Sequence, residues 1–360
     1  MDRNDQMNDS FKMQGHKLIW HLKRVEAWLD QKGIAPLYLD MGITQSCNMA
    51  CKYCYYGTPK NRTNKIIATD VLIQFLRDAS KIGVKAIGFL GDGEPMIHPG
   101  VYDAVIAGKE AGLDMAISSN GLLLNENRAH DFLKALTWIR FNLSAAEPIT
   151  FESVMGISAN NFYKVKENIK KCVEIKNTAN LDVTIGMQMV LISDCKSQLV
   201  QYAKLGRELG VDYIVVKQCS ESDGVKQDFL IDDYDALEPI MREAESYATS
   251  DYQVIIKRRK MHKERKEYDQ CFGCEFLPQI SGAGDVYPCG NLFGNEKYYI
   301  GNLHTERFLD IVQVKKYKQV MEKVKSQINV HKECGFKCRQ NEINEFLWKL
   351  RNPPEHINFI

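Results

Sequence analysis

Residues 45–57 read Gln-Ser-Cys-Asn-Met-Ala-Cys-Lys-Tyr-Cys-Tyr-Tyr-Gly, so Cys47, Cys51 and Cys54 fall within eight residues. The stretch follows a short apolar run, "LYLDMGIT" (37–44), with the length of a buried strand. A tight loop at a strand's C-terminal end can turn three thiolates inward onto one centre. Structural zinc takes four ligands, usually in two pairs, and no fourth partner lies nearby in the chain. A [4Fe–4S] cluster has four irons, so three thiolates leave one iron open to an external ligand.

The rest of the chain sets the frame for that loop. Apolar residues make up 44% and charged residues 26% of 360, the balance of a water-soluble globular protein. Lys plus Arg is 47 against 46 for Asp plus Glu, so the net charge of +1 gives no reason to expect nucleic acid or an anionic membrane as partner. No run of about 18 apolar residues occurs, and the polar start "MDRNDQMNDSFKMQGHK" lacks a signal core. The expected location is therefore the cytoplasm. Eleven cysteines in a reducing compartment point to metal ligation or catalysis before disulfides.

Five more apolar runs come after the first: "VKAIGFLG" (84–91), "LDMAISSN" (113–120), "TWIRFNLS" (137–144), "LDVTIGMQMVLI" (181–192) and "VDYIVVKQCS" (211–220). Amphipathic stretches separate them. In "ATDVLIQFLRDASKIG" (68–83), Val71, Leu72, Phe75, Leu76 and Ala79 line one helical face, with Thr69 expected as N-cap and Gly83 as stop. Six strand–helix repeats predict an α/β fold, a partial (β/α)6 TIM-type barrel, with its site at the C-terminal strand ends. An open doubly wound sheet is the alternative. The expected organisation is a lead-in helix in 1–34, the barrel in 35–256 and a small α+β iron–sulfur domain in 257–360. The basic run 254–267 reads as a last strand entering a solvated linker. The tail shows an apolar helical face of Ile343, Phe346, Leu347 and Leu350, stopped by Pro353 and Pro354.

The cysteine loop resembles the C-x3-C-x-aromatic-C signature of the radical S-adenosylmethionine (SAM) superfamily, with Tyr53 in the aromatic slot. The resemblance implies that SAM chelates the open iron. The reduced cluster then cleaves a carbon–sulfur bond, leaving methionine and a 5′-deoxyadenosyl radical that takes a hydrogen atom from substrate. "LGDGEP" (90–95) resembles the family's Gly-Gly-Glu-Pro motif, so Gly93 and Glu94 are implied to meet the SAM amino group. Asp92 departs from the pattern, which puts its own role in doubt. "ISSNG" (117–121) supplies Ser118 and Asn120 near SAM or substrate. "FNLSAAE" (141–147) is similar to the family's ribose-contacting motif, implying Ser144 with Asn142 behind it, although Ala146 stands where Asp is common. Gln188 on the fifth strand is a further SAM candidate.

A second cysteine group, Cys271, Cys274, Cys289, Cys334 and Cys338, lies C-terminal to the barrel. Cys274, nine residues, Gly284, four residues, Cys289 is similar to the opening of the SPASM/twitch domain. Five cysteines rather than seven imply one auxiliary [4Fe–4S] cluster, with either Cys271 or Cys274 as the surplus thiol. Structural zinc is the alternative.

Cys219 ends the sixth strand. Depending on the pleat, its side chain or that of Gln218 points toward the mouth, where a thiol would return a hydrogen atom to a substrate radical. The alternative is that Cys219 is a buried apolar residue. Its neighbour Lys217 is a candidate for an anionic substrate group. Cys172 reads as core, and Cys195 is undecided. Relatives of this kind act on peptides or on sugars. Peptide modifiers commonly carry a leader-binding domain, and residues 1–34 read as too short for one. The expectation is therefore a radical SAM oxidoreductase or epimerase acting on a small, sugar-like substrate, with flavodoxin or ferredoxin as electron donor. The alternatives are a maturase of a ribosomal peptide or protein, and a non-catalytic zinc-binding scaffold.

Overall fold

The architecture comes from a computed structural model of the chain, which describes residues 15–54, 63–219, 227–261, 266–335 and 338–359. The polar start and residues 262–265 of the basic run lie outside them.

Each predicted apolar run becomes a strand: β1 Tyr38–Met41, β2 Ala86–Phe89, β3 Asp114–Ser119, β4 Leu136–Asn142, β5 Thr184–Leu191 and β6 Tyr213–Gln218. A seventh strand, β7 Gln253–Ile256, pairs parallel to β6. All seven run parallel in sequence order. The helices α1 Leu22–Leu29, α2 Thr69–Ile82, α3 Val101–Glu110, α4 Glu126–Ala135, α5 Pro148–Met155, α6 Asn161–Ala179, α7 Leu199–Leu209 and α8 Glu238–Glu245 precede or join them. Strand residues alternate between two faces. Leu39, Met41, Ile87, Phe89, Ile139, Phe141 and Ile214 meet the helices in the main core, whereas Tyr213, Val215 and Ile255 form a separate apolar patch inside the barrel.

Helix α2 shows how local sequence sets these elements. Leu72, Phe75, Leu76 and Ala79 recur at helical spacing and are buried. Gly83 ends the helix at φ +101°, a left-handed conformation that glycine adopts without Cβ strain. Thr69 does not cap it. Ala68 takes that position, because the Thr69 side chain lies against Gly100, where a Cβ would overlap it.

The C-terminal segment shares the barrel's sheet. Strand β8, Gln279–Ile280, pairs parallel to the outer edge of β1, with Asp40 opposite Gln279. Strands β9 Asp285–Tyr287 and β10 Gly301–Asn302 continue antiparallel, giving the order β10-β9-β8-β1-β2-β3-β4-β5-β6-β7. Helices α9 Phe308–Gln313, α10 Lys315–Gln327 and α11 Asn341–Arg351 complete the chain. Helix α11 packs on the N-terminal region through Leu18, Val25, Trp28, Phe272, Phe276 and Leu347. The rings of Trp28 and Phe272 meet edge-on at 5.2 Å. Leu350, expected on that apolar face, is exposed, while Trp348 stacks on Phe272.

The basic run corrects another expectation. Arg258 is paired with both Glu245 and Glu238, and Arg259 with Glu345 on α11. Lys266 is buried and donates to Val330 O at 2.9 Å and Cys334 O at 2.6 Å. A solvated linker would leave all these cations in water. Here Arg258 ties the end of β7 to α8, and Lys266 is fastened within the C-terminal segment. Among the described residues, no helix is long and apolar enough to cross a membrane.

Candidate active site and metal centres

The N-terminal cysteine loop lies on the end of α5. Ala50 N donates to Met155 O at 3.1 Å and Lys52 N to Val154 O at 2.9 Å, so the backbone on both sides of Cys51 is fixed. Cys54 N donates back to Cys51 O at 3.1 Å, closing the turn. Cys47 is exposed, and Cys51 and Cys54 are half-buried. The Cys51 thiol is pushed well up, first by burial and then by neighbouring Cys54 and Cys47, so the three sulfurs act on one another. Among the described residues no three His, Cys, Asp or Glu side chains form a ready-made shell for one metal ion. The fit to a cluster rests on donor chemistry: three soft thiols on one anchored loop suit iron–sulfur ligation.

Tyr53 does more than fill an aromatic slot. Ser144 Oγ lies 3.0 Å from Tyr53 Oη and accepts from Val190 N at 2.9 Å, while Tyr53 Oη donates to Met155 Sδ at 3.4 Å. Ser144 is fully buried, its hydroxyl engaged by Tyr53 and Val190. It holds the cysteine loop to the ends of β4 and β5.

Glu94 is similarly engaged. Its Oε1 accepts from Met96 N at 3.0 Å and Ser119 Oγ at 2.7 Å, and its Oε2 accepts from Asn120 N at 2.7 Å. Burial pushes its carboxyl up to about 7 against the pull of these donors. Glu94 thus ties the end of β2 to the end of β3. Gly93 has no room for a side chain, because a Cβ would overlap the carbonyl oxygens of Thr44 and Ser46.

Asp92 has a definite structural part. Its Oδ1 accepts from Gly282 N at 2.8 Å and its Oδ2 from Gln45 Nε2 at 3.1 Å. A residue two positions before the motif's glutamate therefore binds the C-terminal segment to the cysteine loop.

The predicted polar residues form a row across the strand ends. Ser118 Oγ donates to Asn142 Oδ1 at 3.2 Å, and Gln188 Nε2 donates to the same oxygen at 3.0 Å. Asn120 Nδ2 donates to Asn48 Oδ1 at 2.6 Å, joining the row to the cysteine loop. Cys219 is fully buried, and its Sγ donates to Tyr53 O at 4.0 Å. Gln218 is buried, and its Oε1 has no hydrogen-bond partner among the described residues. Cys172 is core, as expected, and Cys195 is fully buried, donating to Val190 O and Ile192 O at 3.6 Å.

The second cysteine group also converges. Burial and then the neighbouring Cys338, Cys271 and Cys334 push the Cys289 thiol well up. The Cys334 thiol is pushed up to about 12 by burial, then by Cys338 and Cys271. Cys274 lies against Cys271, donating to Cys271 O at 3.5 Å, so both candidates stay at the site. Five soft donors around one buried space suit an iron–sulfur cluster.

Two residues that motif reading missed hold this site in place. Asn344 Oδ1 accepts from Phe272 N at 2.7 Å and Gly273 N at 2.6 Å, and its Nδ2 donates to Cys271 Sγ at 3.5 Å. Gln340 Nε2 donates to Leu277 O and Pro288 O, both at 2.8 Å. They stand four apart on one face of α11's start, a spacing visible in the sequence but uninformative without the fold. Asn344→Ala should strand two buried N–H groups, at a cost of about 1–3 kcal/mol each. The expected outcome is a lower melting temperature and loss of about four irons per chain, with SAM cleavage retained. Unchanged iron content in the purified variant would remove Asn344 from this role.

Comparison with known proteins matches these features. The profile of the radical SAM superfamily matches residues 41–195, and that of the SPASM iron–sulfur cluster-binding domain matches residues 271–339. The chain is 26% identical over 305 residues to the tungsten-containing aldehyde ferredoxin oxidoreductase cofactor-modifying protein of Pyrococcus furiosus, covering 78% of this chain and 82% of that one. It is 25% identical over 216 residues to a GTP 3′,8-cyclase of Campylobacter fetus, covering 57% of this chain and 64% of that one. Among solved structures, Streptococcus suis SuiB bound to S-adenosylmethionine aligns at TM-score 0.66 and 17% identity, covering 91% of this chain and 77% of SuiB. Native anSMEcpe with bound AdoMet aligns at TM-score 0.58 and 18% identity, covering 86% and 89%.

Proposed function

Because the chain belongs to the radical SAM superfamily and carries a SPASM-type iron–sulfur domain, we propose that it is a maturase that takes a hydrogen atom from a residue of a peptide or protein. Bound [4Fe–4S] clusters and SAM supply the 5′-deoxyadenosyl radical and the electrons. Cys47, Cys51 and Cys54 hold the first cluster, and the second draws its ligands from Cys271, Cys274, Cys289, Cys334 and Cys338. Asn120, Asn142, Ser118 and Gln188 orient SAM and substrate from the strand ends, and Gly93 lets the cysteine loop pack closely beside them. Flavodoxin or ferredoxin is the proposed electron donor.

The observation that carries this reading is the open side of the barrel. Strand β7 ends the sheet, and no further strand pairs with it among the described residues. Half-buried side chains of β4 face the interior. The fold shared with SuiB, also solved with its precursor peptide SuiA, supports it. The sugar-like substrate expected from the sequence draws no support from these relatives. A second reading, modification of another enzyme's metal cofactor, is favoured by the likeness to the Pyrococcus protein over most of both chains.

The test is 5′-deoxyadenosine formation by the anaerobically reconstituted protein with peptides, pterin-type cofactor precursors and sugars. Stimulation by peptides is expected. Stimulation by sugars alone would overturn the reading. Cys219 remains the proposed hydrogen donor, through its place against the cluster loop. Cys219→Ala should abolish deuterium transfer from deuterated water to product carbon while 5′-deoxyadenosine still forms. Persistent deuterium in product from the variant would exclude Cys219.

A further inference from the structure

The geometry points to a binding site in the barrel interior for an anionic group of the substrate, a carboxylate or a phosphate, held by Arg140. This inference deepens the reading above by naming the chemistry that the interior accepts.

Arg140 lies on β4 between Trp138 and Asn142, and all three are half-buried and share a face, while Ile139 and Phe141 turn toward the helices. It pairs in register with Ser118 on β3 and Gly186 on β5. Arg140 therefore stands level with Ser118 and one alternation below Asn142 and Gln188, about 7 Å deeper along the strand. Its guanidinium lies 5.3 Å from the Trp138 ring centroid. Across β5, the Tyr213 ring fills the space over Gly186, where a Cβ would overlap it.

Half-buried Arg258 pairs with Glu245, and half-buried Arg24 donates to the carbonyls of Ala35, Pro36 and Gly83. Arg140 makes no ion pair among the described residues, and its Nε is buried without an acceptor. A guanidinium carries five donors and stays charged, so such a group in a partly closed space calls for an anion. The carboxylate of this interior, Asp40, is already taken. It accepts from Arg339 Nε at 2.9 Å and Gln279 Nε2 at 3.3 Å. Asp40 and Arg339 neutralise one another, and the charge of Arg140 remains. Lys217 and Lys257 lie half-buried at the ends of β6 and β7. A planar guanidinium fork recognises carboxylate or phosphate in two-point fashion.

The experiment measures binding to the reconstituted, SAM-loaded protein at fixed ionic strength. The probes are triglutamate and inorganic pyrophosphate, with triglutamine as the neutral control. At least one anionic probe should bind, and Arg140→Gln should weaken it about 10- to 100-fold with SAM affinity unchanged. Triglutamate alone identifies a carboxylate and keeps the peptide reading. Pyrophosphate alone identifies a phosphate and leaves the anion site standing while the peptide reading falls. Binding of both identifies a site for either anion. Failure of both probes overturns the inference, as does equal affinity in the variant or an equal loss of SAM affinity, which would assign Arg140 to the cofactor. If Arg140→Gln does not take up iron, Arg140→Lys is read instead. It keeps the charge but loses the fork, and wild-type affinity there also overturns the inference.

Discussion

Cys51→Ala is expected to leave a folded protein that no longer cleaves SAM. Iron should fall from about eight to about four per chain, and 5′-deoxyadenosine should drop below detection. The physical reason is the anchoring of the loop. Ala50 and Lys52 donate their backbone N–H groups to Met155 and Val154, so the turn does not depend on the Cys51 sulfur for its shape. Sγ packs on Met155 Sδ at 4.0 Å, and its removal costs a small contact. A [4Fe–4S] cluster with two protein thiolates instead of three is poorly held. Iron analysis, absorbance and chromatography of the reaction together make the test. A variant with about eight irons and wild-type deoxyadenosine formation would show that these thiols are not the radical-generating site.

Gly93→Ala should have a large effect for a single methyl addition near the mouth. The new Cβ would overlap the carbonyl oxygens of Thr44 and Ser46, and these are backbone atoms that cannot swing aside as a side chain can. Glu94 N donates to Ser46 O at 2.8 Å, so the two segments are already bound face to face. Overpacking of this kind costs about 1–3 kcal/mol, and backbone on both sides places Gly93 at the upper end. A melting temperature lower by roughly 3–4 °C is expected. The displaced segment leads directly into Cys47, so iron uptake and SAM affinity should fall with stability. Gly33→Ala is the control, because only the end of the Lys318 side chain lies near its Cβ position, at 3.7 Å. If Gly93→Ala melts with the wild type and binds SAM normally, the close approach of these segments is not what the motif requires.

Much of the fold was legible because it is local. Runs such as "VKAIGFLG" and "TWIRFNLS" carry their strand identity in residue type and length, and α2 carries its buried face in its spacing. β7 was harder to read, since "QVII" leads straight into a basic run and is only four residues long. The cluster loop was legible for a chemical reason, namely that thiol spacing is a property of the chain itself. Ser144 and Glu94 were found by motif, yet their motif roles did not reveal that their hydrogen-bonding groups hold the cysteine loop and strand ends together. Gln340 and Asn344 gave no signal, because an amide pair on a helix has no meaning until the helix lies beside Cys271.

The sequence by itself determined the parallel α/β barrel, the three-thiol loop at the end of its first strand and the second cysteine group. All of these depend on periodicity and spacing within a few residues. Only the tertiary structure decided that Asp40 meets Gln279 and Arg339, that Asp92 grips Gly282, and that Arg140 has no carboxylate partner among the described residues. Such pairings join residues up to 299 positions apart. Charge balance at a point in space depends on every element folded around it, and no local pattern carries that sum.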